Sequence, residues 1–260
     1  MAAVSMALFG LSMLLSWLNS TTHVLHAEKL VYNRWVTLLG ERPGNRRWIV
    51  LGALTLVFVV LLSLFCTGIA EQPTGWAMLG LMLFIRGWEI RQWNRDIVVG
   101  LGKYVPSAAS LLGYLVTSFL VGWLAPDWNA RAAGWHAAAG VLAASWGLAA
   151  FAKVRESGMV WVSGANVAVL VRERSYMGPR PVARLRRAVS KMPWLCLASA
   201  CVGFWGEAAG MLFIFPDLRW GVAIASALFQ IGITVLLGYW ELEWIFIMLA
   251  VAGLSSGTIA

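Results

Sequence analysis

The chain has 260 residues, 60% of them hydrophobic and only 12% charged, with a mean hydropathy of +0.74. Soluble domains average about 45–50% apolar and about 25% charged residues, which excludes an ordinary cytosolic enzyme, a disordered chain and a secreted disulfide scaffold. The net charge of +8 comes from 20 Lys+Arg against 12 Asp+Glu. These charges fall between long apolar runs and not on a soluble face, an arrangement that argues for a polytopic membrane protein and against a nucleic-acid partner.

A hydrocarbon core of about 30 Å needs roughly 20 apolar residues in a helix. Runs of that kind occupy 48–70, 104–125, 132–152, 192–215 and 219–238, and shorter ones cover 1–18, 75–90 and 240–254. The first lacks a basic leader, and Leu18, Asn19 and Ser20 make a poor cleavage site, so it reads as a retained helix. The expected fold is an all-α polytopic integral membrane bundle of one domain, residues 1–260, with about eight transmembrane helices and seven as the alternative.

Loop charges test the count. Segments 19–47, 86–103 and 153–191 carry five, four and nine Lys+Arg, leaving only Arg131 and Arg219 for the alternate loops. Eight helices place all three basic segments on one side, which the positive-inside rule makes cytoplasmic. Both termini then face outward, and the membrane is the plasma membrane if the source is bacterial. The segment 153–191 also holds an apolar stretch from Gly158 to Val171, too short to span. It reads as a short interfacial or re-entrant cytoplasmic helix. Arg155, Arg172, Arg180, Arg184, Arg186, Arg187 and Lys191 around it suit anionic lipid head groups, or the head of an anionic substrate.

Ionisable side chains at bilayer depth are expensive and mark candidate sites. Glu207 lies sixteen residues into its span, with Gly203, Gly206 and Gly210 on the same helical face. Small residues admit a neighbouring helix, so Glu207 is expected to point into the bundle. Buried there without a cation, a carboxyl favours its neutral form and becomes a proton donor. Counted from a turn near Asp217, Glu207 lies ten residues back and Gln230 thirteen forward, a depth difference of roughly 4.5 Å that lets the two meet across the hairpin.

A second constellation runs from Arg86 to Asp96. Read as helix, Arg86, Glu89, Trp93 and Asp96 share a face, with Trp88 beside them. Snorkelling arginines and an interfacial tryptophan belt account for much of it. An ion-paired acid at the mouth of a cavity is the functional alternative, with Glu89 or Asp96 as a second acid or base. His136 near the end of its span reads as a hydrogen-bonded structural residue. No metal site is expected: there is no HExxH, no P-loop and no CxxC, and the three aspartates are widely separated. Of sixteen tryptophans, Trp123, Trp146, Trp194 and Trp205 lie near or within spans. Facing inward, they would line an apolar pocket or steady a cation.

The second half of the chain, residues 149–255, resembles the HTTM family. The resemblance is carried by Met159, Trp161, Gly164 and Ala165, by the stretch from Phe204 through Glu207 to Pro216, by Arg219, and by Ala227, Gln230 and Gly232. Those multi-helix proteins are related to the membrane part of vitamin K-dependent gamma-carboxylase and include bacterial toxin-maturation proteins. The resemblance implies an acidic position at Glu207 and a membrane-embedded site open to isoprenoid-like molecules. Two departures limit it. Gln230 stands where histidine is expected, and on this count of spans no lysine falls within one.

The reading that follows is a membrane enzyme, without cofactor, doing acid–base chemistry on an isoprenoid or quinone-like molecule. Glu207, Glu89 and Asp96 are its candidate catalytic groups, and Trp205, Gln230, Trp88, Trp93, Arg86 and Trp161 its candidate substrate contacts. A sharper form is a terpene cyclase, in which a carboxylic acid protonates an alkene and aromatic faces stabilise the carbocation. The alternatives are a non-catalytic subunit for maturation or export of a partner peptide, and a small-molecule transporter.

Overall fold

The computed structural model of the chain describes residues 1–25, 45–93, 106–176, 179–238 and 242–257. Among these residues there are ten α-helices and no strand. They are α1 (Ala2–Leu25), α2 (Asn45–Cys66), α3 (Glu71–Trp93), α4 (Pro106–Leu124), α5 (Ala130–Ser157), α6 (Gly164–Arg174), α7 (Arg180–Val189), α8 (Pro193–Ala209), α9 (Arg219–Leu237) and α10 (Leu242–Leu254). Short 3-10 turns cover Gly158–Val162, Gly210–Ile214 and Pro216–Leu218. The protein is an all-α membrane bundle in which six helical stretches are long and apolar enough to cross a bilayer: Ala2–Thr22, Trp48–Cys66, Pro106–Leu124, Ala130–Glu156, Pro193–Ile214 and Pro216–Leu237. α3 has the length but carries Glu71 and Arg86. α10 has the apolarity, but its 13 residues reach only about 20 Å.

Each apolar run of the sequence is thus a helix, with two boundary changes that matter. α5 runs five residues past 152, to Ser157, because no Gly or Pro interrupts it before Gly158. α8 gives way to a 3-10 turn at Gly210. The segment expected to hold one short helix holds two. α6 follows a 3-10 turn and lies against α8, where a Cβ on Gly164 would stand 2.9 Å from the backbone nitrogen of Leu197. α7 begins after Pro179 and has Pro181 in its first turn.

α1 sits at the centre and packs on α2, α3, α4 and α10, while α4 pairs with α5 and α9 with α10. Phe9, Met13 and Trp17 of α1 are fully buried. Trp17 stacks on Phe58 at 4.4 Å, Phe9 meets Trp135 edge-on at 5.2 Å, and Trp135 lies 4.3 Å from the Tyr114 ring. Ser5 of α1 abuts Gly253 of α10, and Arg131 of α5 reaches Glu71 of α3 at 3.5 Å. Met1, Glu71, Arg131 and Gly257 are therefore at one end of the bundle, and α6 and α7 with their arginines at the other.

At that second end, Arg186 on the inner face of α7 is buried and corrects its assignment to the lipid-facing set. Its Nε donates to Val235 O at 2.8 Å, Nη1 to Arg174 O at 2.9 Å and Nη2 to Thr234 O at 3.5 Å. Those carbonyls belong to the last turns of α9 and α6, where the backbone has no intrahelical donor and the helix dipoles point their negative ends. One guanidinium thus caps two helices. Burial, and then repulsion from Arg174, pulls it below the ordinary arginine value. Arg180, Arg184 and Arg187 share the opposite face of α7 and are exposed.

Gly238 completes the cap. Its backbone is left-handed at φ 71°, its N–H returns to Thr234 O, and a Cβ there would stand 3.1 Å from Arg186 Nη2. Gly238→Ala is expected to cost ~1–2 kcal/mol from backbone strain, and Arg186→Met ~3 kcal/mol from the uncapped carbonyls. Thermal unfolding of the detergent-solubilised protein, followed by loss of helical signal, checks both. Unchanged midpoints contradict the cap.

Candidate functional site

The extra turn of α5 carries Lys153 to Glu207, two residues before the end of α8. Lys153 Nζ donates to Glu207 Oε1, with the two side chains 27% and 13% exposed. Glu207 therefore turns into the bundle, toward α5, and the expectation that it stands there without a cation is overturned. So is the expectation that no lysine falls within a span. The second carboxylate oxygen, Oε2, is buried and has no hydrogen-bond partner among the described residues.

Close packing sets this geometry. A Cβ on Gly210 would stand 2.6 Å from Trp146 Cγ, and one on Gly147 would stand 2.6 Å from Met211 Sδ. Glycine at 210 lets the turn after α8 lie directly on the base of the Trp146 ring, and at 147 a larger residue would require the flexible Met211 side chain to move. The earlier glycines of the same stripe, Gly203 and Gly206, face Phe229 of α9 instead.

On α9, Gln230 is 3% exposed and its Oε1 has no partner among the described residues. No hydrogen bond joins it to Glu207 among those residues. The shared depth read from the turn did not determine which way each side chain points. Thr234 Oγ1, one turn farther along α9, and Trp146 Nε1 on α5 are also buried and have no partner among the described residues. Trp146 lies 5.9 Å from the Phe229 ring and 5.3 Å, edge-on, from Trp244 of α10. A buried polar group left unpaired costs ~1–3 kcal/mol, so each of these groups calls for an explanation.

The other expected site residues are dispersed. Trp205 is 60% exposed on the outer surface, its ring edge-on to Phe204 at 5.1 Å, so it does not line an interior. Trp123 and Trp194 are exposed as well, and of the four tryptophans singled out within spans only Trp146 is buried. Arg86 and Trp88 lie partly buried on α3, Trp88 edge-on to Phe84 at 6.0 Å. Asp96 lies outside the described residues, as do the side chains of Glu89, Trp93 and Trp161.

Two polar networks lie at the end of the bundle that holds Met1 and Gly257, and of their side chains the sequence reading singled out only His136. Tyr114 OH donates to Glu71 Oε1 at 2.5 Å, beside Arg131. Arg219, only 4% exposed, donates to three backbone carbonyls: Phe213 through Nε, Ser255 through Nη1 and Ile214 through Nη2, each at 3.1 Å. Nη1 also meets His136 Nδ1 at 2.9 Å, and His136 Nε2 lies 3.2 Å from Gly257 O. Arginine can only donate, so Nδ1 accepts, and the imidazole proton sits on Nε2 and goes to Gly257. This is the structural role expected of His136, and it makes Arg219 a buried cation held by carbonyl dipoles.

Comparison with known proteins adds no assignment: no family model, curated protein or solved structure matches the chain. The Arg219 network itself is open to test. Arg219→Lys keeps the charge but loses the planar fork, and is expected to cost about 2 kcal/mol; His136→Ala, which frees one N–H, is expected to cost about 1 kcal/mol. Unfolding midpoints in detergent measure both, and a midpoint for Arg219→Lys equal to wild type contradicts the network.

Proposed function

We propose that the chain is a polytopic membrane enzyme whose Lys153–Glu207 pair handles a proton on an apolar, isoprenoid-like or quinone-like molecule bound within the bundle. The observation that carries this reading is the half-satisfied carboxylate: Oε1 is held by Lys153 and Oε2 is buried with no partner among the described residues. A charge in such surroundings is expensive to keep unless it has a use or a complete set of partners. Oε2 takes a proton from the guest, the electron pair stays on the guest, and the Lys153 ammonium compensates the charge that forms. Return of that proton to a different atom of the guest completes an isomerisation with no other reactant.

The pair also modifies the sharper cyclase form. A lone neutral acid suits one-way protonation of an alkene, whereas a carboxylate beside an ammonium suits abstraction and return. Membership of the HTTM family is part of the same proposal, as is a bacterial plasma membrane with both termini outward and with Arg180, Arg184 and Arg187 at anionic lipid head groups.

A non-catalytic subunit is the second reading. It is favoured by the use of Arg186 and Arg219 as purely structural cations, a use that Lys153 could share. The two readings differ at Glu207→Gln. The full chain in lipid nanodiscs, incubated in D2O with an apolar lipid extract of the expression host, is expected to place deuterium at a C–H position of one lipid species, read by mass spectrometry. Glu207→Gln is expected to lower that rate at least ~100-fold while the protein stays folded. Equal labelling by wild type and variant, or none by wild type, overturns the enzyme reading.

A further inference from the structure

α7 puts its arginines to two uses on one ten-residue helix. On the inner side Arg186, with Val182 and Val189 beside it, closes the last carbonyls of α6 and α9. Arg180, Arg184 and Arg187 fall at i, i+4 and i+7. That spacing gathers them within about 60° of one another and about 130° around the helix from Arg186. All three are exposed, and so is Lys191 just past the helix end. The helix itself holds no acidic residue. Glu173, the nearest acid in the chain, pairs with none of the four, and among the described residues no other acid does. Like charges thus follow one another over about 16 Å with no counter-ion among those residues.

The position of this stripe selects its partner. α7 leads through Ser190, Lys191 and Met192 directly into α8, where a membrane span begins at Pro193. Trp194, in the first turn of that span, is 68% exposed, and Leu185 and Met192 are exposed as well. Tryptophan at a span end, with apolar and basic side chains exposed next to it, marks a helix lying at the level of lipid head groups. A soluble acidic protein would match the charge but leave the three apolar side chains in water. A bilayer covers them and supplies the anions.

We propose that α7 is a strap tightened by lipid charge: anionic phospholipid head groups hold Arg180, Arg184 and Arg187, and by holding α7 against the bundle they stabilise the Arg186 cap on α6 and α9. The proposal rests on the placement of these arginines at anionic head groups in the reading above, and adds what that contact controls. The coupling is mass action. A ligand that binds α7 best where it lies docked favours the docked helix.

Amide hydrogen exchange of the full chain in nanodiscs tests this, comparing phosphatidylcholine alone with an equimolar mixture of phosphatidylcholine and phosphatidylglycerol. Phosphatidylglycerol is expected to slow exchange ~10-fold in α7 and in the last turns of α6 and α9, with no change near Glu71 and Gly257 at the other end. Arg180→Gln, Arg184→Gln and Arg187→Gln together, all at exposed positions, are expected to abolish the slowing and to leave exchange in phosphatidylcholine unaltered. High salt is expected to abolish it too. Arg186→Met keeps the slowing in α7 and loses it in α6 and α9; slowing that persists at all three there overturns the role of Arg186. Slowing confined to α7 in the wild type overturns the strap and leaves the lipid contact standing. Slowing nowhere, or slowing that survives the triple substitution, overturns both. Slowing by soluble poly-glutamate in phosphatidylcholine discs, with none from phosphatidylglycerol, overturns the lipid assignment in favour of an acidic protein.

Discussion

Water solvates a charge and hydrocarbon does not, and the contact between Lys153 and Glu207 is where this bundle meets that constraint least completely. Among the described residues, Arg186, Arg219 and Lys153 are drawn in among the helices, and each is handled differently. Arg186 is spread over the closing carbonyls of α6 and α9. Arg219 is spread over three carbonyls and the neutral imidazole of His136. Both guanidiniums are absorbed into backbone dipoles and hold helices together. Lys153 instead faces a carboxylate, which binds α5 to α8 and leaves one oxygen of that carboxylate over. That remaining oxygen directs the functional reading to this place.

The packing around the pair follows from the same constraint. An ammonium and a carboxylate on different helices meet only if the helices approach closely, and Gly147 and Gly210 permit this at the expense of side-chain burial at both positions. The end of α8 relaxes to a 3-10 turn just past Glu207, which sets the carboxylate at the last α-helical turn. Trp146 fills the space opposite Gly210, so the pair, the glycines and the unsatisfied indole belong to one arrangement.

Much of the architecture was legible because hydrophobic length and loop charge are strong signals. The eight apolar runs are helices, the terminal residues 2–25 form one of them, and the nine basic residues of 153–191 gather at one end. Lys153 escaped because apolarity marks where a span stops being greasy and not where its helix stops. The next helix breaker is Gly158, and reading the boundary from it would have kept the lysine in α5. Arg186 escaped because the sequence of α7 shows four arginines without saying which one faces inward. The inward direction is fixed by Val182 and Val189 on its face. Trp205 misled for the opposite reason: adjacency to Glu207 in sequence puts the two about 160° apart around a helix counted over two residues, and the ring faces out.

The claim on which everything rests is that Lys153 and Glu207 compensate one another across two helices, and charge reversal tests it most directly. Lys153→Glu sets like charges together, Glu207→Lys does the same with opposite sign, and the double variant restores an opposite pair in exchanged positions. Unfolding midpoints in nanodiscs are expected to fall for each single variant and to recover in the double, with a coupling of about 1–3 kcal/mol. A double variant as unstable as the sum of the two singles would contradict the pairing, and the functional reading with it.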